Sequence, residues 1–333
     1  YIRGGVVEPR SRKEINRLLF FHHSIHQNSR WENETLALEN SIELRDDFSL
    51  RGRCEMFRVN LDSMVAAHQL HQGSNLRGHL VWARYQHFQR LLSIRNVPTE
   101  FEDEEILQFF RDTNDPDLYM ERNAMSRSEF RKLVSPLVRS GHLIQDYRGG
   151  FRTVEPLRKV DLWEIKRNYL RKLVEDYPVI TLKQVERLAG ASFAPEEISD
   201  VMHDFEDDGT LIKGFLVDDL QDICWGRLDM LEGMGKISRT RDLVIPPSDP
   251  LIHYFGSLLR ERFGFGSAYL VFHKEEPIAA FKANTRNDKI ELTDFVGDSE
   301  LEKEAIRVMK EFAWEHDMPL SGKLFDRIRS RIV

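Results

Sequence analysis

The sequence predicts an α+β protein in which tandem helix-and-wing units precede a small antiparallel β domain with a C-terminal helix. Two observations carry this prediction. Residues 101–155 contain three helical segments, a short strand, a Gly-Gly turn and a second strand, and residues 162–217 repeat the helices and end in a strand. Beyond Asp242 the pattern changes to β, with a short strand and a three-stranded meander before an amphipathic helix.

The third helix of the first unit has clear start and stop signals. Ser126 and Glu129 form a capping box, and Gly141 can adopt the left-handed conformation that ends a helix. The apolar stripe between these signals has helical spacing and consists of Phe130, Leu133, Val134 and Leu137. A hairpin over residues 141–155 follows directly. This order of helix, strand, turn and strand is that of a winged helix.

The helix and its wing carry six cationic side chains. They are Arg127, Arg131, Lys132, Arg139, Arg148 and Arg152. From Glu121 to Lys172 there are 13 Lys and Arg against 6 Asp and Glu, a net charge of +7. Because nucleic-acid phosphates are negative, we predict that the six side chains bind DNA, mainly through phosphate contacts, and RNA fits the same pattern.

The second unit has the opposite charge. Its third helix, starting at Pro195, carries Glu196, Glu197, Asp200, Asp204 and Glu206. Residues 195–222 contain 1 Lys against 10 Asp and Glu, a net charge of −9. Phosphates would repel such a helix. We therefore expect it to pack against the first unit or to contact a protein partner, for example a helicase or a repair protein.

Bulk composition excludes several classes of protein. The chain has 333 residues, a net charge of −7 and two cysteines, too few for a disulfide framework or a four-cysteine zinc site. It has no run of 18 apolar residues, so we expect no membrane partner. The low cysteine content favours an intracellular, cytoplasmic location. The chain opens on Tyr1, which fits a processed start, a trimmed chain or a piece of a longer polypeptide.

Four domains are predicted along the chain. Residues 1–98 are mostly helical, with helices over 11–26 and 61–93, and are a candidate first winged helix. The basic winged helix spans 99–160 and the acidic winged helix spans 161–240. The β-rich domain with its C-terminal helix spans 241–333.

Histidine pairs are the only metal-like pattern in the sequence. His22 and His26 are four residues apart, and His68 and His71 are three apart. There is no His-Glu-x-x-His motif and no cysteine near either pair. We therefore predict no metal site and no cofactor.

The segment Asn60-Leu61-Asp62 has two interpretations, one structural and one functional. It precedes a predicted helix, so Asp62 can be an N-cap that accepts a backbone N–H. Alternatively, the Asp62 carboxylate and the Asn60 amide point into a cleft between domains. The residues themselves leave both readings open.

Three segments resemble known families. Residues 243–252, Leu-Val-Ile-Pro-Pro-Ser-Asp-Pro-Leu-Ile, followed by Phe263-Gly264-Phe265, resemble the C-terminal signature of the AlkZ/YcaQ winged-helix DNA glycosylases. Val59-Asn60-Leu61-Asp62-Ser63 resembles that family's short Gln-apolar-Asp/Gln motif, with Asn60 in the place of Gln. Residues 209–220 are similar to the C-terminal region of Lhr-type large helicases.

The resemblance implies a DNA glycosylase that excises damaged bases. A lesion nucleotide would leave the duplex, and Asp62 would stabilise the oxocarbenium-like sugar or activate water. Asn60 would orient the water or the sugar. Because Asn60 departs from the family motif, a non-catalytic nucleic-acid-binding module, or the C-terminal part of a large repair helicase, is the alternative. A protein-interaction scaffold that uses residues 195–222 is a third.

Overall fold

The computed structural model describes residues 9–23, 70–95, 104–218, 220–232, 242–249, 251–286 and 289–332. Helix α1 (Arg12–His22) begins at Ser11, whose hydroxyl accepts the N–H of Glu14 while the Glu14 carboxylate accepts the Ser11 N–H. Its apolar side includes the fully buried Phe20 and faces the largest core. The helix predicted over residues 11–26 is confirmed within the described part.

A β-hairpin lies where the sequence predicted a helix. Strands β1 (Leu70–Ser74) and β2 (Leu80–Arg84) pair antiparallel, and helix α2 (Tyr85–Arg95) follows β2 directly. The prediction of a continuous helix over residues 61–93 is therefore wrong for residues 70–84. The prediction of a helical end to this segment is confirmed by α2.

The turn of this hairpin has local signals that argue against a continuous helix. The Asn75 side-chain oxygen accepts the N–H of Arg77 at 3.0 Å, and Gly78 has a φ of +77°. These are ordinary turn signals, and they were present in the sequence. The strand after the turn buries only Val81 and Ala83, an alternation too short to be separated from a helical stripe by periodicity alone.

The first unit has three helices and a hairpin. They are α3 (Glu104–Asp112), α4 (Pro116–Arg122), α5 (Arg127–Ser140), β3 (Leu143–Gln145) and β4 (Phe151–Thr153). Strand β3 pairs antiparallel with both β4 and β1, so a four-stranded sheet runs in the order β2-β1-β3-β4. The predicted helices and hairpin are present. The pairing of β3 with β1, which joins this unit to the N-terminal part, was not predicted.

The second unit has a related order. Its elements are α6 (Leu162–Glu175), β5 (Val179–Thr181), α7 (Leu182–Ala189), α8 (Pro195–Asp207), β6 (Ile212–Gly214), β7 (Cys224–Gly226) and the short α9 (Leu228–Glu232). Strand β7 lies between β5 and β6 in an antiparallel three-stranded sheet. The three helices and β6 were predicted. Strands β5 and β7 are three residues long and carry no readable alternation, so the sequence did not reveal them.

The C-terminal part is built on a five-stranded sheet with helices around it. Its elements are β8 (Leu243–Ile245), α10 (Leu251–Tyr254), α11 (Gly256–Phe263), β9 (Tyr269–His273), β10 (Glu276–Arg286), β11 (Lys289–Gly297), α12 (Glu302–Glu315), β12 (Leu320–Ser321) and α13 (Lys323–Ile332). The strand order is β12-β11-β10-β9-β8, antiparallel except for the β11–β12 pair. The predicted meander and amphipathic helix are confirmed. Helix α13 carries the basic residues Lys323, Arg327, Arg329 and Arg331.

Buried apolar side chains of the described residues form four clusters. The largest joins α1, α2, the second unit and part of the C-terminal sheet, and it includes Phe20, Phe88, Phe205 and Phe272. The first unit has a core of its own around Phe110 and Phe130. Helix α5 is therefore supported mainly by the core of its own unit. None of the helices in the described ranges combines the length and the apolarity needed to cross a membrane.

Candidate nucleic-acid interface

Helix α5 has one apolar side and one cationic side. Phe130, Val134 and Leu137 are spaced four and three residues apart and are buried in the core of the first unit. The helix also carries four exposed cations, Arg127, Arg131, Lys132 and Arg139. The helical period of 3.6 residues places Arg131, Lys132 and Arg139 away from the apolar side, whereas Arg127 is exposed at the first residue of the helix. The sequence prediction of a basic, amphipathic third helix is confirmed.

Local contacts hold both ends of α5. The Ser126 hydroxyl accepts the N–H of Glu129 at 3.3 Å, and the Glu129 carboxylate accepts the Ser126 N–H at 2.9 Å. Hydrogen bonds from Ser126 lower the pKa of Glu129, which keeps its carboxylate ionised. At the other end, Gly141 has a φ of +89°, a conformation that glycine adopts readily. Pro136 removes one N–H donor inside the helix without ending it.

Most of the α5 cations have no anionic partner. Arg127 lies 4.0 Å from Asp117, but the two side chains are 83% and 75% exposed, so this pair contributes little to stability. Within the described part of the chain, no carboxylate lies within ion-pair distance of Arg131, Lys132 or Arg139. These side chains are available to an anionic ligand.

Two glycines shape the tip of the β3–β4 hairpin. The Asp146 carboxylate accepts the N–H of Arg148 at 2.8 Å and that of Gly150 at 2.9 Å. Gly149 has a φ of +89°. A Cβ on Gly150 would lie 2.7 Å from the backbone oxygen of Asn114, closer than real Cβ contacts allow. Glycine is therefore favoured at position 149 by the backbone conformation and at position 150 by the close approach of Asn114.

Both hairpin arginines contact tyrosines. The Arg148 Nε donates to the Tyr147 hydroxyl at 2.8 Å, and its side chain is exposed. The Arg152 guanidinium carbon lies 4.1 Å from the centre of the Tyr85 ring, and the Tyr85 hydroxyl donates to the backbone oxygen of Thr153 at 3.3 Å. Stacking uses the face of a guanidinium and leaves its N–H edge for a phosphate.

Basic side chains of α6 pair with two carboxylates of the acidic helix α8 and with Asp208, the residue that follows it. The ion pairs are Lys166–Glu197 at 2.7 Å, Arg167–Asp204 at 3.2 Å and Arg171–Asp208 at 3.0 Å. These α6 cations belong to the segment with a net charge of +7, so the cations available to a ligand lie mainly before residue 160. These ion pairs join the acidic helix to α6 of its own unit, whereas the sequence predicted packing against the first unit. A protein partner at residues 195–222 stays a prediction.

We expect the Glu197→Gln substitution to lower the free energy of unfolding at pH 7 by about 0.5–1 kcal/mol. Glu197 pairs with Lys166, and the two side chains are only 29% and 14% exposed. The hydrogen bond from Lys166 lowers the pKa of Glu197 from its ordinary value of 4.5, although burial opposes this shift. A lowered native pKa gives stability that is present above the unfolded pKa and is lost as the pH falls through the native pKa.

Urea unfolding at a series of pH values measures this contribution. The difference between the native protein and the Glu197→Gln variant should be constant above about pH 5.5 and shrink as the pH falls further. Glu196→Gln removes a neighbouring exposed carboxylate that has no ion pair among the described residues, and it should match the native protein throughout. A difference that stayed unchanged into acid would contradict the assignment.

The predicted catalytic pair lies outside the described residues. Asn60 and Asp62 fall within residues 24–69, as do His26 and His68. The roles assigned to Asn60 and Asp62 stay predictions.

Of the two histidine pairs, the described members are His22, which is half-buried, and His71, which is buried. His22 has its pKa lowered to about 4, first by burial and then by the positive charges of Arg227 and Lys172. Its ring is therefore neutral at physiological pH. His71 is buried beside the Tyr85 ring. These environments are those of core histidines.

One group of possible metal ligands was not predicted. Ligand atoms of Asp242, His273 and Glu304 all lie within 4.8 Å of one another. However, the Arg307 guanidinium bonds to the carboxylates of Asp242 and Glu304, and it also bonds to Glu311 at 2.7 Å. The guanidinium supplies the positive charge that a metal would supply. The group is therefore an ion-pair network that joins α12 to the start of β8.

A cavity of about 520 Å³ lies where α1, α7 and α11 meet. Cys224 and Tyr254 are among its lining residues. Burial raises the pKa of the Cys224 thiol to about 11, so the thiol is protonated and is a poor nucleophile. The Tyr254 hydroxyl donates to the backbone oxygen of Val179 at 2.8 Å. Neither the Cys224 thiol nor the Tyr254 hydroxyl is therefore an activated catalytic group.

The fold resembles that of a DNA glycosylase. It is similar to the solved Streptomyces sahachiroi DNA glycosylase AlkZ, with a TM-score of 0.64 and 11% sequence identity. The match covers 95% of this chain and 100% of that chain. At this identity the likeness concerns the fold. No family model matches the sequence, and no curated protein sequence matches it either.

Proposed function

We propose that this chain binds DNA through α5 and the β3–β4 hairpin and acts as a glycosylase that excises damaged bases. One observation carries the proposal. Exposed cations, most of them without a carboxylate partner among the described residues, lie on a helix and hairpin in a fold similar to that of a DNA glycosylase. The binding part and the catalytic part are supported by different residues, so each can be tested separately.

The binding part treats the first unit as a winged helix. Its third helix would lie against the duplex with Arg127, Arg131, Lys132 and Arg139 facing phosphates, and the hairpin would add Arg148 and Arg152. Phosphate contacts fix the position and orientation of a protein on DNA but carry no sequence information. The second unit has the same order of helices, but its third helix is acidic and is paired with α6, so it would not read DNA.

The catalytic part is assigned to Asp62 and Asn60. A damaged nucleotide would be extruded from the duplex at a cost of a few kcal/mol. As the N-glycosidic bond breaks, the sugar becomes cationic, and the Asp62 carboxylate would stabilise it or activate the attacking water. Asn60 would hold that water or the sugar. The support for these roles is the resemblance of residues 59–63 to the glycosylase motif.

Incubation of the purified protein with alkylated, crosslinked and uracil-containing duplexes, followed by scoring of abasic sites, tests catalysis. The native protein should release a base from at least one substrate, and Asp62→Ala should lower the rate about a hundredfold or more. Asp326→Ala, which removes an exposed carboxylate from α13, should retain the native rate. Equal rates for the native protein and Asp62→Ala would contradict the assignment of Asp62 as a catalytic residue.

The second candidate is a non-catalytic nucleic-acid-binding module or the C-terminal part of a large repair helicase. Asn60 in the place of the family's Gln favours the first form, and the similarity of residues 209–220 to Lhr-type helicases favours the second. A native protein that binds duplex DNA and releases no base would support this candidate. Base release gained by Asn60→Gln would show that the native side chain limits catalysis.

A helicase or repair-protein partner at residues 195–222 is also a proposal. Within the described chain, Glu196, Asp200 and Asp207 are exposed and have no ion pair. These three carboxylates, rather than the acidic side chains paired with α6, would meet the partner.

A further inference from the structure

A second cationic cluster lies where the β1–β2 turn, the end of α7 and the start of α11 meet. Its members are Arg77, Arg187 and Arg260. Two of them meet at Gly256. The Arg187 Nη1 lies 2.8 Å from the position of a Cβ on Gly256, and the Arg260 Nε donates to the Gly256 backbone oxygen at 3.4 Å. A larger residue at 256 would displace the Arg187 guanidinium.

Arg187 is the half-buried centre of the cluster. Its Nη2 donates to the Ser257 hydroxyl at 3.1 Å, and its Nη1 donates to the His253 backbone oxygen at 3.5 Å. These bonds hold the guanidinium in one orientation. A guanidinium has five N–H donors, so two protein contacts leave most of its hydrogen-bonding capacity for another ligand.

The β1–β2 turn brings the third arginine to the cluster. The Arg77 Cγ lies 3.1 Å from the position of a Cβ on Gly190, the residue that ends α7. The ring of His79, in the same turn, stacks on that of His253 with ring centres 6.4 Å apart and planes at 18°. The turn is therefore held against both α7 and α10.

Like charges oppose one another in this arrangement. Burial, followed by the positive charges of Arg260 and Arg77, lowers the pKa of Arg187, and Glu261 opposes the shift only in part. Among the described residues, no carboxylate lies within ion-pair distance of Arg187 or Arg260. A bound anion would relieve this repulsion, and the planar guanidinium edge matches the oxygens of a phosphate.

The same turn also borders the cationic helix α5. The Arg95 Nη2 donates to the Ser74 backbone oxygen at 3.1 Å, just before the turn. The Arg95 Nη1 lies 2.5 Å from the position of a Cβ on Gly141, the residue that ends α5. Arg95 therefore links the strand before the turn to the end of α5.

We propose that Arg187 and Arg260, beside Arg77, form a second phosphate-binding site, which holds a backbone phosphate of the nucleic acid that α5 binds. The site would extend the contact surface from the first unit to the second unit and the start of the C-terminal part. This inference rests on the proposed function, because it assumes that the chain binds nucleic acid. It adds residues that no sequence motif indicated.

Fluorescence anisotropy of a fluorescein-labelled duplex at several KCl concentrations tests the site on the full chain. Removing one phosphate contact should reduce the slope of log K against log salt by about 0.9. We expect this change for Arg260→Gln and about twice this change for Arg187→Gln with Arg260→Gln. Arg262→Gln, two residues away on α11 and also exposed, removes the same charge and should leave the slope unchanged.

The outcomes separate this site from the proposed α5 interface. Equal slopes for Arg260→Gln and Arg262→Gln would overturn the second site, whatever α5 variants do. A slope that falls for Arg260→Gln but not for α5 variants would keep this site and reject the α5 interface. Inorganic phosphate provides the last arm. Suppose that phosphate raises the Tm of the native protein at constant ionic strength but not that of Arg187→Gln, and that Arg260→Gln leaves the slope for DNA binding unchanged. The site then binds free phosphate, and its assignment to nucleic acid is wrong.

Discussion

Replacing Arg131, Lys132 and Arg139 together with glutamine is expected to weaken duplex binding strongly at low salt and only slightly at high salt. Each phosphate contact releases counterions, so three lost contacts should reduce the slope of log K against log salt by about 2.7. The reason is structural. The three side chains are exposed on one side of α5 and have no carboxylate partner among the described residues. Anisotropy titrations over a range of KCl concentrations measure the slope.

A matched variant separates this effect from the loss of net charge. Lys303, Lys310 and Arg327 are exposed on the C-terminal helices α12 and α13, also without an ion pair among the described residues. Replacing these three with glutamine removes the same charge and should leave the slope within about 0.5 of the native value. If both triple variants lowered the slope equally, the contact would be a diffuse charge effect and α5 would not be the interface.

Phe110→Ala should destabilise the first unit by about 3–5 kcal/mol. Phe110 is 2% exposed, and its ring lies 5.7 Å from that of Tyr119, 6.2 Å from that of Phe130 and 5.5 Å from that of Phe151. It therefore joins α3 to α4, α5 and β4. The core of the first unit is separate from the main core, so the remaining packing cannot compensate for the cavity.

Hydrogen–deuterium exchange of peptides from residues 104–153 measures this local loss. For a loss of ~3 kcal/mol, protected amides of α5 should exchange about a hundredfold faster. Phe109→Ala removes a ring of the same size from the next, half-buried position and should have a smaller effect. Comparable exchange in the two variants would mean that Phe110 does not support α5. Slow exchange elsewhere should persist in both variants because the main core is untouched.

Elements with strong local signals were predictable from the sequence. The capping box at Ser126, the left-handed Gly141 and the Gly-Gly hairpin all appear in the structure where the sequence indicated them. Each signal acts within a few residues of the chain, so no distant contact can easily override it. The helical spacing of residues 127–139 likewise predicted the basic side of α5.

Short strands and long-range pairs were not predictable. Periodicity does not separate the β1–β2 hairpin from a helix, because the buried alternation covers only the five residues of β2. The pairing of β1 with β3 joins Gln72 to Gln145, far apart in the chain. Arg77, Arg187 and Arg260 belong to three separate elements, and no motif connects them. The catalytic assignment to Asn60 and Asp62 depends on resemblance and on the assay proposed above.

By itself, the sequence determined the mixed α+β character, the helices with caps and stripes, and the sign of charge on each third helix. Only the tertiary structure decided which of those charges are available. The net charge of +7 includes Lys166 and Arg167, which pair with residues 31 and 37 positions away. Local composition cannot reveal such ion pairs, because electrostatic energy depends on the distance between the charges in space and on their burial. Folding therefore neutralises part of the acidic helix and leaves the cations of α5 exposed.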